Sequence, residues 1–130
     1  MDAILEIEHL SLQFTQYAAG FQQRRLPVIR DLSLTVRPGQ IAAVVGASGS
    51  GKSLLAHSIL GLLPYNSRLE GSIRYAGQPL TPQRAAALRG REIVLVPQGV
   101  TYLDPLMQVG PQLRKGKGDA GTRARARAAL

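Results

Sequence analysis

The chain has 130 residues, no cysteine, and 16 Lys+Arg against 8 Asp+Glu, a formal net charge of +8 on a composition that is 45% apolar and 18% charged. That balance excludes an intrinsically disordered chain and predicts at most one globular domain. With no cysteine, a disulfide framework and a cysteine-ligated zinc are also excluded, and the histidine candidates for a metal are His9 and His57.

The opening MDAILEIEHL carries Asp2, Glu6 and Glu8 where an export signal needs a basic and then an uninterrupted apolar segment. Leu5 and Ile7 alternate on one face, and Leu10, Leu12 and Phe14 continue in a phase shifted at His9, which predicts one long or bulged strand. The polar stretch Thr15 to Pro27, with Gly20 and the pair Arg24 and Arg25, reads as a loop. Leu32, Leu34 and Val36 alternate with Ser33 and Thr35 in a second strand, closed by the turn residues Arg37-Pro38-Gly39. Ile41 to Val45 is continuously apolar, the pattern of a strand covered on both faces. Leu54, Leu55, Ile59, Leu62 and Leu63 then recur at helical spacing until Pro64.

Gly71 to Gly77 reads as a short hairpin strand with Ile73 and Tyr75 on one face, and Pro82 opens a helix through Arg89. Ile93 to Val96 is a second buried apolar run, ending in Pro97-Gln98, and from Leu106 the pattern turns helical and polar. The two longest apolar stretches are broken well short of the ~18–20 residues that a membrane crossing requires. Much of the positive charge lies in residues 114–130, where six basic residues face Asp119; Ala-rich and without an aromatic for base stacking, this tail reads as a solvated helix rather than a nucleic-acid arm.

Between the apolar run and the amphipathic helix stands Gly46-Ala47-Ser48-Gly49-Ser50-Gly51-Lys52-Ser53, which fits G-x-x-x-x-G-K-[ST]. Glycines let the backbone curl so that successive N–H groups form an anion-binding nest, and the helix that follows adds its positive end. Lys52 would reach the outer phosphates of a nucleotide, and the Ser53 hydroxyl would complete the coordination of a Mg²⁺ whose remaining oxygen ligands come from phosphate and water. The four fixed positions arise by chance in roughly one chain of this length in several hundred, and the flanking strand and helix patterns make a Gly/Ser connector a poorer reading than nucleotide binding.

From Leu5 to Leu113 the residues resemble the ATP-binding subunits of ABC transporters. The resemblance rests on the opening strand ending in Phe14, the block IRDLSLTVRPGQIAAVVGASGSGKS, the G-S-I-x-Y-x-G hairpin, and LRGREIVLVPQ. Within the family, VPQGVTYLDPLMQVGPQL resembles the importers of oligopeptides, nickel and metal chelates, departing from their pattern at Gly99-Val100 and Asp104. The resemblance implies an α/β fold in which a P-loop NTPase core carries an antiparallel β subdomain. Residues 1–98 would form the ATP-binding core and residues 99–130 the start of a helical subdomain.

The resemblance further implies that Phe14 stacks on adenine, with Tyr17 and Phe21 as fallbacks, although Phe14 also suits the last core position of its strand. It implies that Gln98 contacts Mg²⁺ or the attacking water and joins the core to the subdomain facing the membrane subunits; an ordinary polar strand end is the other reading. The implied activity is ATP hydrolysis coupled to solute import, with Lys52 and Gln98 as catalytic residues and Ser53 and Gln98 as metal ligands. The implied partners are membrane permease subunits and a second ATP-binding subunit, at the cytoplasmic face of the cell membrane, without nucleic acid.

The family's acidic strand end, its Leu-Ser-Gly-Gly-Gln signature and its switch histidine do not occur in these 130 residues, and His57, five residues past Lys52, reads as an ordinary helix residue. The expectation is therefore an amino-terminal half, truncated before the rest of the sheet, inactive as an ATPase by itself and prone to associate through uncovered apolar surface. A small P-loop kinase and a non-catalytic nucleotide- or nucleic-acid-binding module are the alternatives. The kinase is disfavoured because two strands precede Gly46.

Overall fold

The computed structural model describes residues 2–18, 20, 22–99 and 103–114, in two compact units, Met1–Leu95 and Val96–Leu130. Phe21, Val100 and the basic tail beyond Arg114 lie outside the described residues.

In the first unit, β1 (Leu5–Tyr17) is the centre of a four-stranded antiparallel sheet with β2 (Gln23–Val36), β3 (Ser67–Tyr75) and β4 (Gln78–Pro79), in the order β2-β1-β3-β4. Alternation in β1 puts Ile7, Leu10 and Leu12 on the face that buries them completely, where they meet Ile29, Ile73 and Leu55. Leu55 comes from α1 (Lys52–Leu60), so the helix closes this sheet face. Each such side chain contributes about 1.5–3 kcal/mol through burial.

The phase shift expected at His9 is a bulge. His9 has φ +49°, and the ladders to both neighbours change register beside it, between Ile7 and Leu10 on the β2 side and between Glu8 and Ser11 on the β3 side. Asp31 on β2 also has φ +49°, and the two side chains meet, with His9 Nδ1 2.6 Å from Asp31 Oδ1. The Ser33 hydroxyl accepts from the His9 N–H and the Ser11 hydroxyl from the Asp31 N–H, each at 3.0 Å, so both amides turned aside by the bulges are satisfied.

The loop expected over Thr15 to Pro27 is instead the outer part of a long hairpin, with Phe14 opposite Leu26, Thr15 opposite Arg25, Gln16 opposite Arg24 and Tyr17 opposite Gln23. Ladder hydrogen bonds need no burial, so a polar ribbon forms where the composition signals a loop. Pro27 is accommodated because β2 is an edge strand with a register shift next to it. The β3 strand likewise starts before the expected Gly71, at Ser67, and Ala76 and Gly77 turn it into β4 with φ +49° and +74°.

The α1 helix ends at Leu60 rather than running on toward Pro64. Gly61 takes φ +65°, its N–H bonds to the Ser58 carbonyl and the Leu62 N–H to the His57 carbonyl, the left-handed glycine ending of a helix. The Thr81 hydroxyl accepts from the Arg84 N–H at 3.2 Å and caps α2 (Pro82–Leu88), with Pro82 in the first turn as expected.

Two expectations fail. Ile41 to Val45 is not a strand, and Ile41 and Val45 are 96% and 92% exposed. Ile93 to Val96 contributes only an isolated parallel bridge between Arg89 and Ile93, with Val94 68% and Val96 87% exposed. Strands of this all-apolar kind form only when flanked by ladder partners and covered on both faces; among the described residues neither segment has a continuous ladder partner. In the second unit, α3 (Val109–Arg114) follows a turn in which the Gln112 amide donates to the Asp104 and Met107 carbonyls while its oxygen accepts from the Asp104 N–H at 2.8 Å. No helix among the described residues is long and apolar enough to cross a membrane.

Candidate functional site

The Gly/Ser-rich segment 46–53 is curled. The Ser50 N–H donates to the Ala47 carbonyl at 3.1 Å, and Gly49 and Gly51 take φ +79° and +99°, conformations that glycine adopts without the cost another residue bears. A Cβ would also be crowded at two places: at position 46 it would lie 2.6 Å from Ser50 Oγ, which would have to turn aside, and at position 51 it would lie 2.9 Å from Val28 Cγ1. Lys52 begins α1 and turns its ammonium into the curl, where Nζ donates to the Gly46 carbonyl at 2.6 Å, the Ala47 carbonyl at 2.8 Å and the Ser50 hydroxyl at 3.4 Å.

The start of α1 has no side-chain cap and no acidic residue in its first turn. The first-turn N–H groups, including that of Ser53, thus have no partner within the helix and carry its positive end. Uncapped donors, a lysine ammonium and a glycine curl fit a phosphate. Ser53 at the rim offers a hydroxyl oxygen of the kind Mg²⁺ takes alongside phosphate and water. Ala47 and Ser48 lie exposed on the outside of the curl.

A cavity of about 220 Å³ opens beside the curl, lined on one side by Gly46, Ser50, Gly51 and Lys52 and on the other by Val28, Ile29, Arg30 and Leu32 of β2. It includes Arg30, which no motif in the sequence singles out. In β2, Val28 packs against the glycine just ahead of α1, and Arg30 is two residues further along the same strand.

Phe14, the expected adenine partner, is half-buried near the outer end of β1, opposite Leu26 and packed against the core cluster. Tyr17 is exposed in the hairpin ribbon, within 3.5 Å of the Gln23 amide. Gln98 belongs to the second unit and lies exposed at a bend after Pro97. His57 is half-buried in the last turn of α1, and no group of three or more His, Asp or Glu side chains gathers among the described residues.

The exposed His9 has its pKa raised above 6.5, first by the hydrogen bond to Asp31 and then by the charges of Asp31 and Glu8, against a small opposing effect of desolvation. This pair sits in the strand bulges, and its partners are the serines of the neighbouring strand.

Comparison with known proteins converges on one family. The ABC transporter family model matches residues 29–130. A putative peptide import ATP-binding protein of Brucella abortus is 36% identical over 96% of this chain and 39% of its own length. The oligopeptide transport ATP-binding protein OppD of Lactococcus lactis is 36% identical over 86% of this chain and 33% of its own length, and the dipeptide transport ATP-binding protein DppD of the same species is 33% identical over 86% and 32%. The chain therefore spans between 32% and 39% of the length of these relatives. With the match covering more than three-quarters of its residues, and with the curled lysine loop ahead of an uncapped helix, the chain belongs to the ABC transporter family.

Proposed function

We propose that this chain supplies the nucleotide-binding part of an ABC importer ATPase that takes up peptides. The observation that carries the reading is the Lys52 ammonium held inside the 46–53 curl at the uncapped start of α1, within 2.6–2.8 Å of two loop carbonyls. Those carbonyls hold the cation where a bound phosphate would take it over, exchanging two neutral acceptors for a charged one. Gly46, Ala47, Ser48, Gly49, Ser50, Gly51, Lys52 and Ser53 are the residues assigned to the phosphates of ATP, Ser53 and Gln98 to Mg²⁺, and Phe14 to the base. The names of the relatives, peptide import and oligopeptide and dipeptide transport, support the peptide class over nickel or chelates.

Hydrolysis, permease partners, pairing with a second ATP-binding subunit and a place on the cytoplasmic face of the membrane belong to this proposal as attributes of the whole importer. In it, residues 1–98 are the ATP-binding core and residues 99–130 open the helical subdomain. Isothermal titration of the 130-residue chain with Mg-ATP tests the reading. We expect saturable binding that weakens about 10- to 100-fold in Lys52→Ala, the loss of charge-assisted hydrogen bonds. Equal affinity in the two proteins would overturn it.

A further inference from the structure

We propose that Arg30 is a second phosphate-binding cation, gripping the outermost phosphate of a nucleoside triphosphate held by the 46–53 loop. The inference rests on the nucleotide-binding reading above and assigns a residue that the loop motif does not contain.

Arg30 lines the same cavity as Gly46, Ser50 and Lys52. Its side chain is exposed, and it takes part in none of the ion pairs among the described residues. The adjacent carboxylate, Asp31, is engaged by His9 at 2.6 Å and turned aside by its own positive φ. Three other arginines of this unit have structural duties, and the remaining ones do not line this cavity. Arg84 donates to the carbonyls of Tyr75, Gln78 and Pro79, Arg68 pairs with Glu70, and Arg74 donates to the Gly77 carbonyl. Arg30 also borders a second cavity that contains Asp31 and Glu70, but those carboxylates are engaged by His9 and Arg68. This leaves the Arg30 guanidinium without an ion-pair partner among the described residues.

Position along β2 says which part of a nucleotide it meets. Leu26 lies opposite Phe14, where the base is assigned, Val28 abuts Gly51 at the start of α1, and Arg30 lies beyond. The four residue steps from Leu26 to Arg30 cover roughly 13 Å, which would put base and Arg30 at opposite ends of the ligand with the loop between them. A triphosphate carries more negative charge than one divalent cation and one ammonium cancel. The planar fork of a guanidinium suits the exposed oxygens of a terminal phosphate.

The test measures fluorescence binding of MANT-ATP and MANT-ADP, each with Mg²⁺, to the 130-residue chain and to Arg30→Ala, Arg30→Lys, Lys52→Ala and Arg24→Ala. We expect Arg30→Ala to weaken MANT-ATP about tenfold and MANT-ADP much less, narrowing the preference for ATP. Arg30→Lys should recover part of the loss, and Arg24→Ala, in the hairpin ribbon away from the cavity, should bind as the parent does. Unchanged melting temperature in Arg30→Ala would accompany this result. If Arg30→Ala keeps full MANT-ATP affinity while Lys52→Ala loses it, or if both nucleotides weaken equally, the assignment of Arg30 fails and the nucleotide site stands. If the parent chain binds neither nucleotide, both fall.

Discussion

Gly71 of β3 passes directly over the bulge at His9. A Cβ at position 71 would overlap the His9 carbonyl oxygen and lie 2.7 Å from that of Glu8, and Gly71 itself takes φ +96°. The bulge that re-phases β1 therefore fits its neighbour only because that neighbour has no side chain at this point. Gly71→Ala meets both backbone crowding and left-handed strain. We expect it to destabilise the fold by about 1–3 kcal/mol, read as a lower urea midpoint, whereas Ser72→Ala beside it should be nearly neutral.

The His9–Asp31 pair makes stability depend on pH in a definite direction. The folded pKa of His9 is raised above 6.5, so the folded state holds the proton more tightly than the unfolded chain. The resulting stabilisation is complete below 6.5 and disappears as pH climbs through the raised folded value. Because both groups are exposed, the effect is small and salt-sensitive. Proton NMR titration of His9 should give a midpoint above the ordinary histidine value, returning toward it in Asp31→Asn.

Reading these elements from sequence succeeded where the determinants are local. Alternation broken at His9 is visible because a bulge shifts the phase of its own strand; Pro82 announces a helix start because its fixed φ suits the first turn; and the 46–53 loop is legible because glycines and lysine act on each other. Failure came where partners are distant. The ribbon Thr15–Tyr17 with Gln23–Pro27 is polar, so nothing but its cross-strand ladder marks it as β. Ile41 to Val45 has the composition of a covered strand, yet composition says nothing about whether a neighbour is there to pair with it. Arg30 was missed because its importance comes from a cavity formed with residues 46–52.

Hydrolysis should be separable from binding in this chain. Residues 1–130 hold the phosphate loop and Gln98 but no acidic strand end to hold metal and activate water, so the groups that stabilise a phosphoryl-transfer transition state are incomplete. Malachite-green assays with Mg-ATP should show phosphate release indistinguishable from that of Lys52→Ala under conditions where titration shows ATP bound.

The uncovered apolar segments should make the chain associate. Ile41 and Val94 are 96% and 68% exposed, in stretches whose backbone groups lack ladder partners. Ile41→Ser combined with Val94→Ser should raise the monomer fraction in sedimentation velocity without lowering the melting temperature, since neither side chain contributes to the buried core.

Val45 runs directly into Gly46, so the curl proposed to hold phosphate hangs from a stem without ladder partners. Pinning the backbone of five such residues costs about 1–2 kcal/mol each, and a ligand that needs them fixed must supply that work from its own affinity. By reciprocity, anything that splints residues 41–45 would sharpen the loop's hold on nucleotide, and nucleotide would in turn help seat the splint.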